Sequence, residues 1–472
     1  MKPAAFGEMA ETVAALGSEG GSQEEPRRVS RDRTFPLSPA QEGLWFLENL
    51  EPGAPAYLIP LVLRIRGPLD AGRLRQTLAL LVERHEALRL QFGETLGTGW
   101  QRVSDPFEPE LPVEEIGDES LGSSPNESLR AALRRETSRP LDLRSGRLLR
   151  SRLLRRNREE HFLALTLHHI AADGWSAGIL NGDIARIYGA LGATRETLPP
   201  APHLQYVDYV LWQREQLEGG RLEELRRFWA GHLRGAPHRL DFRTDFSHPA
   251  QFRFRGGRFG KPLSAALTAA LRELARGERA TVSVVLASVF AILLHQGSGA
   301  TDLLSGFPFA NRTRMEWEQV VGYFANMSVR RTQLAGDPTF RELLIGQRDE
   351  AWETIDWLDI PFGELVTQEC RTRDLSRHPL FQHAFSMQNL RAPKAAIPDL
   401  DIQMILADNG TSKFDFTLSA VEAERRIVLG LQYSTDLFRP ETAHRILDHY
   451  ERLLTVTVSG PALKLSQLPA LR

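Results

Sequence analysis

The densest group of reactive side chains in this sequence lies within residues 168–176. His168 and His169 stand side by side at the end of a predicted strand, and Asp173 follows four residues after His169. Because neighbouring side chains of a strand point to opposite faces, only one of the two histidines can face a reaction while the other packs. An imidazole exchanges protons near neutral pH, so we predict that His169 acts on the substrate and that His168 packs.

A serine motif overlaps this cluster. Residues 174–178 match the GxSxG pattern of the nucleophile elbow in α/β-hydrolases, with Ser176 as the nucleophile. An elbow serine occupies the tip of a tight strand-to-helix turn, whereas the loop 170–174 separates Ser176 from the strand. We interpret the match as accidental, and a serine hydrolase stays open as an alternative. Gly174 either leaves room for a substrate arm or only makes a tight turn.

The composition excludes several classes of protein. Of the 472 residues, 42% are hydrophobic and 25% charged, as in globular proteins, and the net charge of -2 provides no positive field for nucleic acid. Cys370 is the single cysteine, so no internal disulfide can form, and no HExxH or comparable spacing indicates a metal site. We therefore expect neither a bound metal nor a nucleic-acid partner.

No stretch of the sequence has the features of a membrane or export segment. The most apolar run, residues 282–294, contains two serines and is shorter than a membrane span, which predicts a buried core helix. The first residues lack the apolar segment of a secretory signal. These features predict a cytoplasmic protein that has no membrane partner.

Helical and strand patterns alternate along the chain. Residues 148–154 and 162–167 form a predicted β-hairpin, and residues 176–191 form a predicted helix. The second half repeats the mixture, with a helix predicted over residues 222–233 and a last helix after Pro440. Interleaved helices and strands predict the α/β class.

The chain divides into a leader and two lobes. Residues 1–35 combine glycines with charged side chains and are predicted to be a flexible leader, with docking to an upstream protein as the alternative. Prolines between residues 199 and 202 interrupt the pattern of elements. We therefore predict lobes at residues 36–200 and 201–472.

The motif HHxxxDG at residues 168–174, followed by Trp175 and Ser176, resembles the active-site signature of condensation domains of nonribosomal peptide synthetases. These domains are grouped with the chloramphenicol acetyltransferase-like acyltransferases. Further stretches resemble the family in the same order: residues 38–45, 84–89, 206–212, 321–326, 360–362 and 373–380. The resemblance extends from about residue 36 to the end of the chain.

The resemblance implies a fold of two chloramphenicol acetyltransferase-like lobes that meet in a V, with the active site at their junction. Segments of the second lobe are expected to cross to the first around residues 306–326 and after residue 389. His169 is then the catalytic residue, with His168, Asp173 and Gly174 completing the motif.

Supporting residues are expected around the motif. A buried carboxylate needs a cationic partner, so we expect Asp173 to pair with Arg89 of the first lobe or Arg312 of the second. Ser176 donates a supporting hydrogen bond in this view, and the resemblance adds Asn326.

The resemblance also implies the reaction and its partners. Such an enzyme joins an acyl or peptidyl thioester to the amine of an aminoacyl group, and a thioester is already activated, so no nucleophilic side chain is needed. Both substrates are attached to 4'-phosphopantetheine arms of donor and acceptor peptidyl carrier proteins, and the enzyme itself binds no cofactor. Acyl-coenzyme A is the alternative donor of a starter-type domain. We expect a monomer, either free-standing or the first domain of a larger synthetase.

Several positions bear on the subtype. Gly43 stands where the family often has Arg, and Gly363 where Glu is common, which leaves the subtype open. The order Trp175-Ser176 favours condensation over epimerisation, and the two histidines differ from the aspartates of heterocyclisation domains. Formation of an ester in place of an amide stays open, as does a non-catalytic role in carrier binding or recruitment.

Overall fold

The structure is a computed structural model. It describes residues 25–116, 127–193, 198, 200–370, 374–388, 397, 399–405, 408–422 and 426–471. Most of the predicted leader, residues 1–24, therefore lies outside the described residues. Near the end of that leader, Arg31 is bound by two carboxylates: its Nε lies 2.7 Å from Glu86 and its Nη2 lies 2.7 Å from Asp208.

The first half of the chain alternates strands and helices. Its strands are β1 (Phe35–Pro36), β2 (Leu58–Arg66), β3 (Leu90–Thr95), β4 (Thr98–Val103), β5 (Val113–Glu115), β6 (Leu149–Arg155) and β7 (Glu160–His168), and its helices are α1 (Pro39–Leu50), α2 (Ala71–Arg84), α3 (Glu127–Thr137) and α4 (Gly174–Ala193). Strands β2, β7 and β6 are antiparallel neighbours, and β5 pairs with β6 in parallel. The predicted hairpin is β6–β7, and the predicted helix is α4.

Strand β7 is buried on both faces, which explains its nearly continuous apolar sequence. Leu163 and Leu165 pack on one face in the large core of the first half. Phe162 and Ala164 pack on the other face in a smaller cluster with residues of α3. A strand buried on both sides is a rigid element from which to present the residues that follow it.

The second half has a sheet of its own. Its elements are α5 (Tyr206–Leu217), α6 (Arg221–His232), β8 (Gly256–Pro262), α7 (Ala265–Gly277), α8 (Val282–Ser298), β9 (Asp302–Phe309), β10 (Asn326–Gln333), α9 (Phe340–Thr354), α10 (Phe362–Glu369), β11 (His383–Gln388), β12 (Asp401–Ile405), β13 (Phe416–Glu422), β14 (Ile427–Ser434) and α11 (Pro440–Ser459). In the described residues six strands pair in the order β10-β9-β11-β13-β14-β8.

Helix α8 is the core helix that the apolar run predicts. The Thr281 side chain accepts a hydrogen bond from the backbone of Val284 at 3.2 Å and caps the helix, and most residues of the helix are buried. Among the described helices no single one is long and apolar enough to cross a membrane, and α7 and α8 pass such a test only as a pair bent by 102°.

Two segments of the second half cross to the first. Trp317, Val321 and Phe324, which precede β10, pack in the core of the first half. Strand β12 joins the first sheet and runs antiparallel to β2. These contacts lie in the two stretches predicted to cross, residues 306–326 (the first crossing) and the part of the chain after residue 389, of which residues 389–396 lie outside the described residues.

The architecture is therefore α/β, with two lobes linked by two crossings. Helix α5 follows the prolines near residue 200 but packs with the first lobe, because Tyr206 and Val210 lie in its core. The predicted boundary at residue 200 thus precedes a helix that belongs to the first lobe by packing.

Candidate active site

The histidine pair is positioned by the end of β7. This strand pairs with β2 as far as His168, which lies opposite Leu58. One residue later, the backbone N–H of His169 donates to the carbonyl oxygen of Tyr57 at 2.7 Å. The backbone of both histidines is therefore fixed by central strands, which is the support that a positioning site requires.

His168 is part of the packing. Its Nδ1 accepts a hydrogen bond from the backbone of Ile170 at 3.1 Å, and its Nε2 lies 3.9 Å from a carboxylate oxygen of Glu48. Burial, followed by the charge of Lys413, lowers the pKa of His168 to about 3. The ring is therefore neutral at pH 7, and with Nδ1 accepting, its proton is on Nε2.

We expect His168→Ala to lower the free energy of unfolding by about 1–3 kcal/mol, because the buried N–H of Ile170 loses its acceptor. Because the pKa of His168 is lowered in the folded protein, the unfolded chain binds a proton at this residue first as pH falls from 6.5 towards about 3. The free energy of unfolding therefore decreases across that range. The variant should therefore lose less stability than the parent on acidification. Denaturant titrations at several pH values measure both effects, and a stable but inactive variant would reverse the roles assigned to the two histidines.

His169 differs from His168 in being partly exposed. Its ring meets the ring of Tyr323 edge to face, with centroids 5.1 Å apart, and its Nδ1 is buried without a hydrogen-bond partner. Burial holds the pKa of His169 well below 6.5, and the positive charge of Lys413 lowers it further. The imidazole is therefore unprotonated at neutral pH, in the form that accepts a proton or a hydrogen bond from an amine.

Asp173 joins the motif to the first crossing. One carboxylate oxygen, Oδ1, accepts from the backbone N–H and the hydroxyl of Ser176, both at 2.8 Å. The other, Oδ2, accepts from the backbone N–H groups of Phe324 at 3.1 Å and Ala325 at 3.2 Å. The carboxylate is 2% exposed, so its charge is held by directed donors rather than by water.

Arg312 is the cationic partner of Asp173. Its Nη2 lies 3.3 Å from Asp173 Oδ1, and its Nη1 donates to the carbonyls of Trp317 at 2.5 Å and Val320 at 2.7 Å. The guanidinium also stacks on Phe324, with its central carbon 3.9 Å from the ring centroid. Arg312 thus fastens the first crossing to the loop that follows His169.

The hydroxyl of Ser176 is fully engaged in this network. Besides Asp173, its Oγ contacts the carbonyl of Gly322 at 2.9 Å, the N–H of Gly322 at 3.1 Å and Nη2 of Arg312 at 3.1 Å. Ser176 is fully buried in the first turn of α4. An attacking serine needs an exposed hydroxyl and an adjacent base, so this geometry gives no support to the GxSxG interpretation.

We expect Ser176→Ala to retain part of the activity and to resist labelling by a fluorophosphonate. The variant removes the hydrogen bonds of the Ser176 hydroxyl to Asp173 and Gly322 but leaves His169 in place. Mass spectrometry of the treated protein measures the labelling, and product formation measures the activity. Stoichiometric labelling of Ser176 in the parent would restore the hydrolase alternative.

Two of the predicted supporting residues lie outside the Asp173 network. Arg89 does not pair with Asp173, because its Nη1 donates to the carbonyl of Ser104. The side chain of Asn326 donates to the carbonyl of Ile360 at 2.6 Å and fixes the turn before α10. The arginine that reaches Asp173 comes from the crossing segment, whose path depends on the tertiary fold.

Gly174 faces open space. It is exposed, and a Cβ placed on it would meet no atom within 4 Å. Its φ also lies outside the left-handed region, so the backbone there does not demand glycine. Neither a close approach nor the backbone conformation therefore requires glycine at this position.

Sequence reasoning did not identify the remaining polar groups of the site. The backbone N–H groups that bind Asp173 cannot be recognised from the sequence, because every residue except proline has one. Lys413 was also missed, since an isolated lysine forms no pattern.

The chain is similar to known proteins over nearly its whole length. A family profile described as "Condensation domain" matches residues 31–472. One of the linear gramicidin synthase proteins of Brevibacillus parabrevis is 36% identical over 93% of this chain and 6% of its own length. Phosphinothricin tripeptide synthetase PhsC of Streptomyces viridochromogenes is 37% identical over 97% of this chain and 42% of its own length. The chain thus spans less than half of each of these relatives.

Solved structures agree with this result. The X-domain from teicoplanin biosynthesis is 27% identical, with a TM-score of 0.85 over 95% of this chain and 100% of its own. The first condensation domain of the calcium-dependent antibiotic synthetase shares the fold at 19% identity, with a TM-score of 0.79 over 93% of this chain and 100% of its own. The chain belongs to the condensation-domain family.

Proposed function

We propose that this chain catalyses attack of the amine of a carrier-bound aminoacyl group on an acyl or peptidyl thioester. The observation that carries the proposal is His169, a partly exposed and unprotonated imidazole at the junction of the two lobes. The loop that follows it is held by buried hydrogen bonds from both lobes. His169, Asp173 and Gly174 form the proposed site, with His168, Ser176 and Arg312 supporting it.

The reaction requires positioning and one proton acceptor. The amine nitrogen forms a bond to the thioester carbon, the C–S bond breaks, and the nitrogen gives up one proton as the amide forms. His169 orients the amine by accepting a hydrogen bond and takes up that proton, which then passes to the departing thiolate. No side chain forms a covalent bond to the acyl group in this mechanism, in agreement with the hydrogen-bonded hydroxyl of Ser176.

The substrates reach the site on flexible arms in this proposal. Donor and acceptor peptidyl carrier proteins each present a 4'-phosphopantetheine thioester, and the open space beside Gly174 leaves room for such an arm. Acyl-coenzyme A carries the same arm and is the donor in a starter-type variant of the proposal. Ester formation, with a hydroxyl as acceptor, needs the same base and is distinguished only by the product.

A recruitment domain without chemistry is the second candidate function. It is favoured by the similarity to the teicoplanin X-domain, which one solved structure holds in complex with OxyB. The intact HHxxxDG motif favours condensation instead. The two candidates differ in outcome, because a recruitment domain binds carriers and forms no product.

The test is a panel of acyl-pantetheine and acyl-carrier donors incubated with aminoacyl-carrier acceptors, followed by mass spectrometry of the products. Condensed product in the presence of the protein, beyond the uncatalysed background, supports the proposal, and its mass separates amide from ester. Release of free acid alone would favour the hydrolase. Carrier binding without any product would favour recruitment.

A further inference from the structure

A lysine from the second lobe lies beside the histidine motif. Lys413 belongs to the bridging segment, residues 408–415, which contacts both lobes. In this segment the Asn409 side chain donates to the carbonyls of Pro55 and Leu58 in the first lobe, both at 3.3 Å. The backbone of Asp415 donates to the carbonyl of Gln382 in the second lobe at 2.9 Å. Lys413 is therefore held at the junction of the lobes by contacts on both sides of it.

The ammonium group of Lys413 lies over the aromatic ring of Tyr57, a residue whose backbone supports His169. Its Nζ is 5.2 Å from the ring centroid of Tyr57. The carbonyl of that same Tyr57 accepts the backbone N–H of His169 at 2.7 Å. Lys413 is close enough to the motif for its charge to lower the pKa of both His168 and His169.

Lys413 has no counter-ion in the part of the chain that the structure describes. Neither an aspartate nor a glutamate pairs with it there, and burial, unopposed by a carboxylate, lowers its pKa to about 8. Lys261 provides the contrast, since it pairs with both Asp448 and Glu451. Because an unpaired cation out of bulk water is costly, its retention indicates a negative group that arrives with the substrate.

One negative group must appear next to His169 if the proposed function is right. When the amine nitrogen bonds to the thioester carbon, the π electron pair of the carbonyl moves onto its oxygen. That oxyanion persists until the C–S bond breaks and the pair returns to form the amide carbonyl. A fixed cation at this position stabilises the transition state more than the uncharged thioester.

We propose that the ammonium group of Lys413 binds the oxygen of the thioester carbonyl and stabilises the oxyanion that forms during condensation. Lys413 is then a catalytic residue of the second lobe, acting opposite His169 of the first. The inference rests on the proposed function. It assigns the two steps of the reaction to different lobes, with the proton taken by His169 and the negative charge held by Lys413.

The first test compares Lys413→Met with Lys413→Arg, using a neutral acyl donor and a neutral aminoacyl acceptor. We expect Lys413→Met to lower kcat by about 100-fold, the loss expected for one oxyanion donor, with KM for both carriers nearly unchanged. Lys413→Arg keeps the charge and should restore most of this loss. Lys261→Met, which removes a remote surface lysine, is the matched control and should act like the parent.

Folding is monitored by thermal melting of each variant. Removing an unpaired, partly buried charge should not lower Tm, and Lys413→Gln provides a second neutral side chain if the Met variant melts early. Parent-like kcat in a folded Lys413→Met or Lys413→Gln protein would overturn the inference. Absence of product with the parent would instead overturn the proposed function, so the two failures are distinct.

Two further substrate comparisons distinguish the oxyanion from other negative groups that Lys413 could bind. If only acceptors with acidic side chains lose rate in Lys413→Met, the lysine recognises the side chain. If only donors that carry the pantetheine phosphate lose rate, whereas dephosphorylated donors do not, it recognises the phosphate. Either outcome would overturn the oxyanion role, which predicts the same loss for all of these substrates.

A pH profile provides an independent measurement. In the described residues the ionisable groups near His169 include His168 on the other face of the strand, Tyr323 against its ring, and Lys413, whose ammonium group lies over Tyr57. Because the active form of Lys413 is protonated, kcat of the parent should fall above its pKa of about 8. The Arg variant, which stays charged, should shift this fall to higher pH, and an unshifted profile would contradict the inference.

Discussion

Replacement of His169 by alanine is expected to reduce condensation by at least about 100-fold, the lower end of what a positioned acid or base contributes. The fold should survive, because His169 is partly exposed and its Nδ1 makes no hydrogen bond. The main packing loss is one edge-to-face contact with Tyr323, which is worth about 1 kcal/mol. Product formation and thermal melting, measured on the same preparation, test both statements.

The matched control is His168→Ala, which removes the neighbouring imidazole. It should show the opposite balance, with a clear loss of stability and a smaller loss of activity, since His168 is buried and hydrogen-bonded to Ile170. Condensation by His169→Ala at more than half of the parent rate would show that the imidazole is dispensable. The proposed site would then have to be abandoned, whatever the family of the chain.

Side-chain types and local periodicity were enough to predict the elements that carry the motif. The two apolar runs over β6 and β7, separated by charged residues, predicted the hairpin, and the apolar run at 282–294 predicted the core helix α8. Both follow from which faces must be buried, a property that each segment carries in its own sequence. The two crossings came from the resemblance, because local patterns do not show which lobe a strand such as β12 joins.

The partner of Asp173 shows where sequence reasoning ends. Charge balance predicted an arginine, and both Arg89 and Arg312 were candidates. Only the path of the first crossing brings Arg312 to 3.3 Å from Asp173, while Arg89 turns to Ser104. The backbone donors of Phe324 and Ala325 were beyond prediction for the same reason, because they come from a distant segment.

The hydrogen bonds of Asp173 stabilise the junction of the lobes and also fix the loop that orients His169. Its donors come from the first turn of α4 and from the first crossing, so the carboxylate ties the two lobes together immediately after the histidines. Loss of this tie should therefore change the loop geometry as well as the free energy of unfolding. An exposed carboxylate with similar charge has no such role.

We expect Asp173→Ala to lower the free energy of unfolding by about 3–5 kcal/mol, because it strands the buried charge of Arg312 and two backbone N–H groups. Activity should fall with it, since the loop after His169 loses its anchor. Asp173→Asn keeps an acceptor oxygen and the shape of the side chain, so its loss should be smaller. Denaturant unfolding and product formation measure the two effects.

A double-mutant cycle identifies the source of the loss. Asp173→Ala combined with Arg312→Leu should be less destabilised than the sum of the single changes, because no charge is then left buried without a partner. Glu273→Ala is the matched control: this carboxylate is 73% exposed beside Arg276, and its removal should cost about 1 kcal/mol or less. If Asp173→Ala unfolds like the parent and yet forms no product, Asp173 acts on the substrate itself rather than through the loop that aims His169.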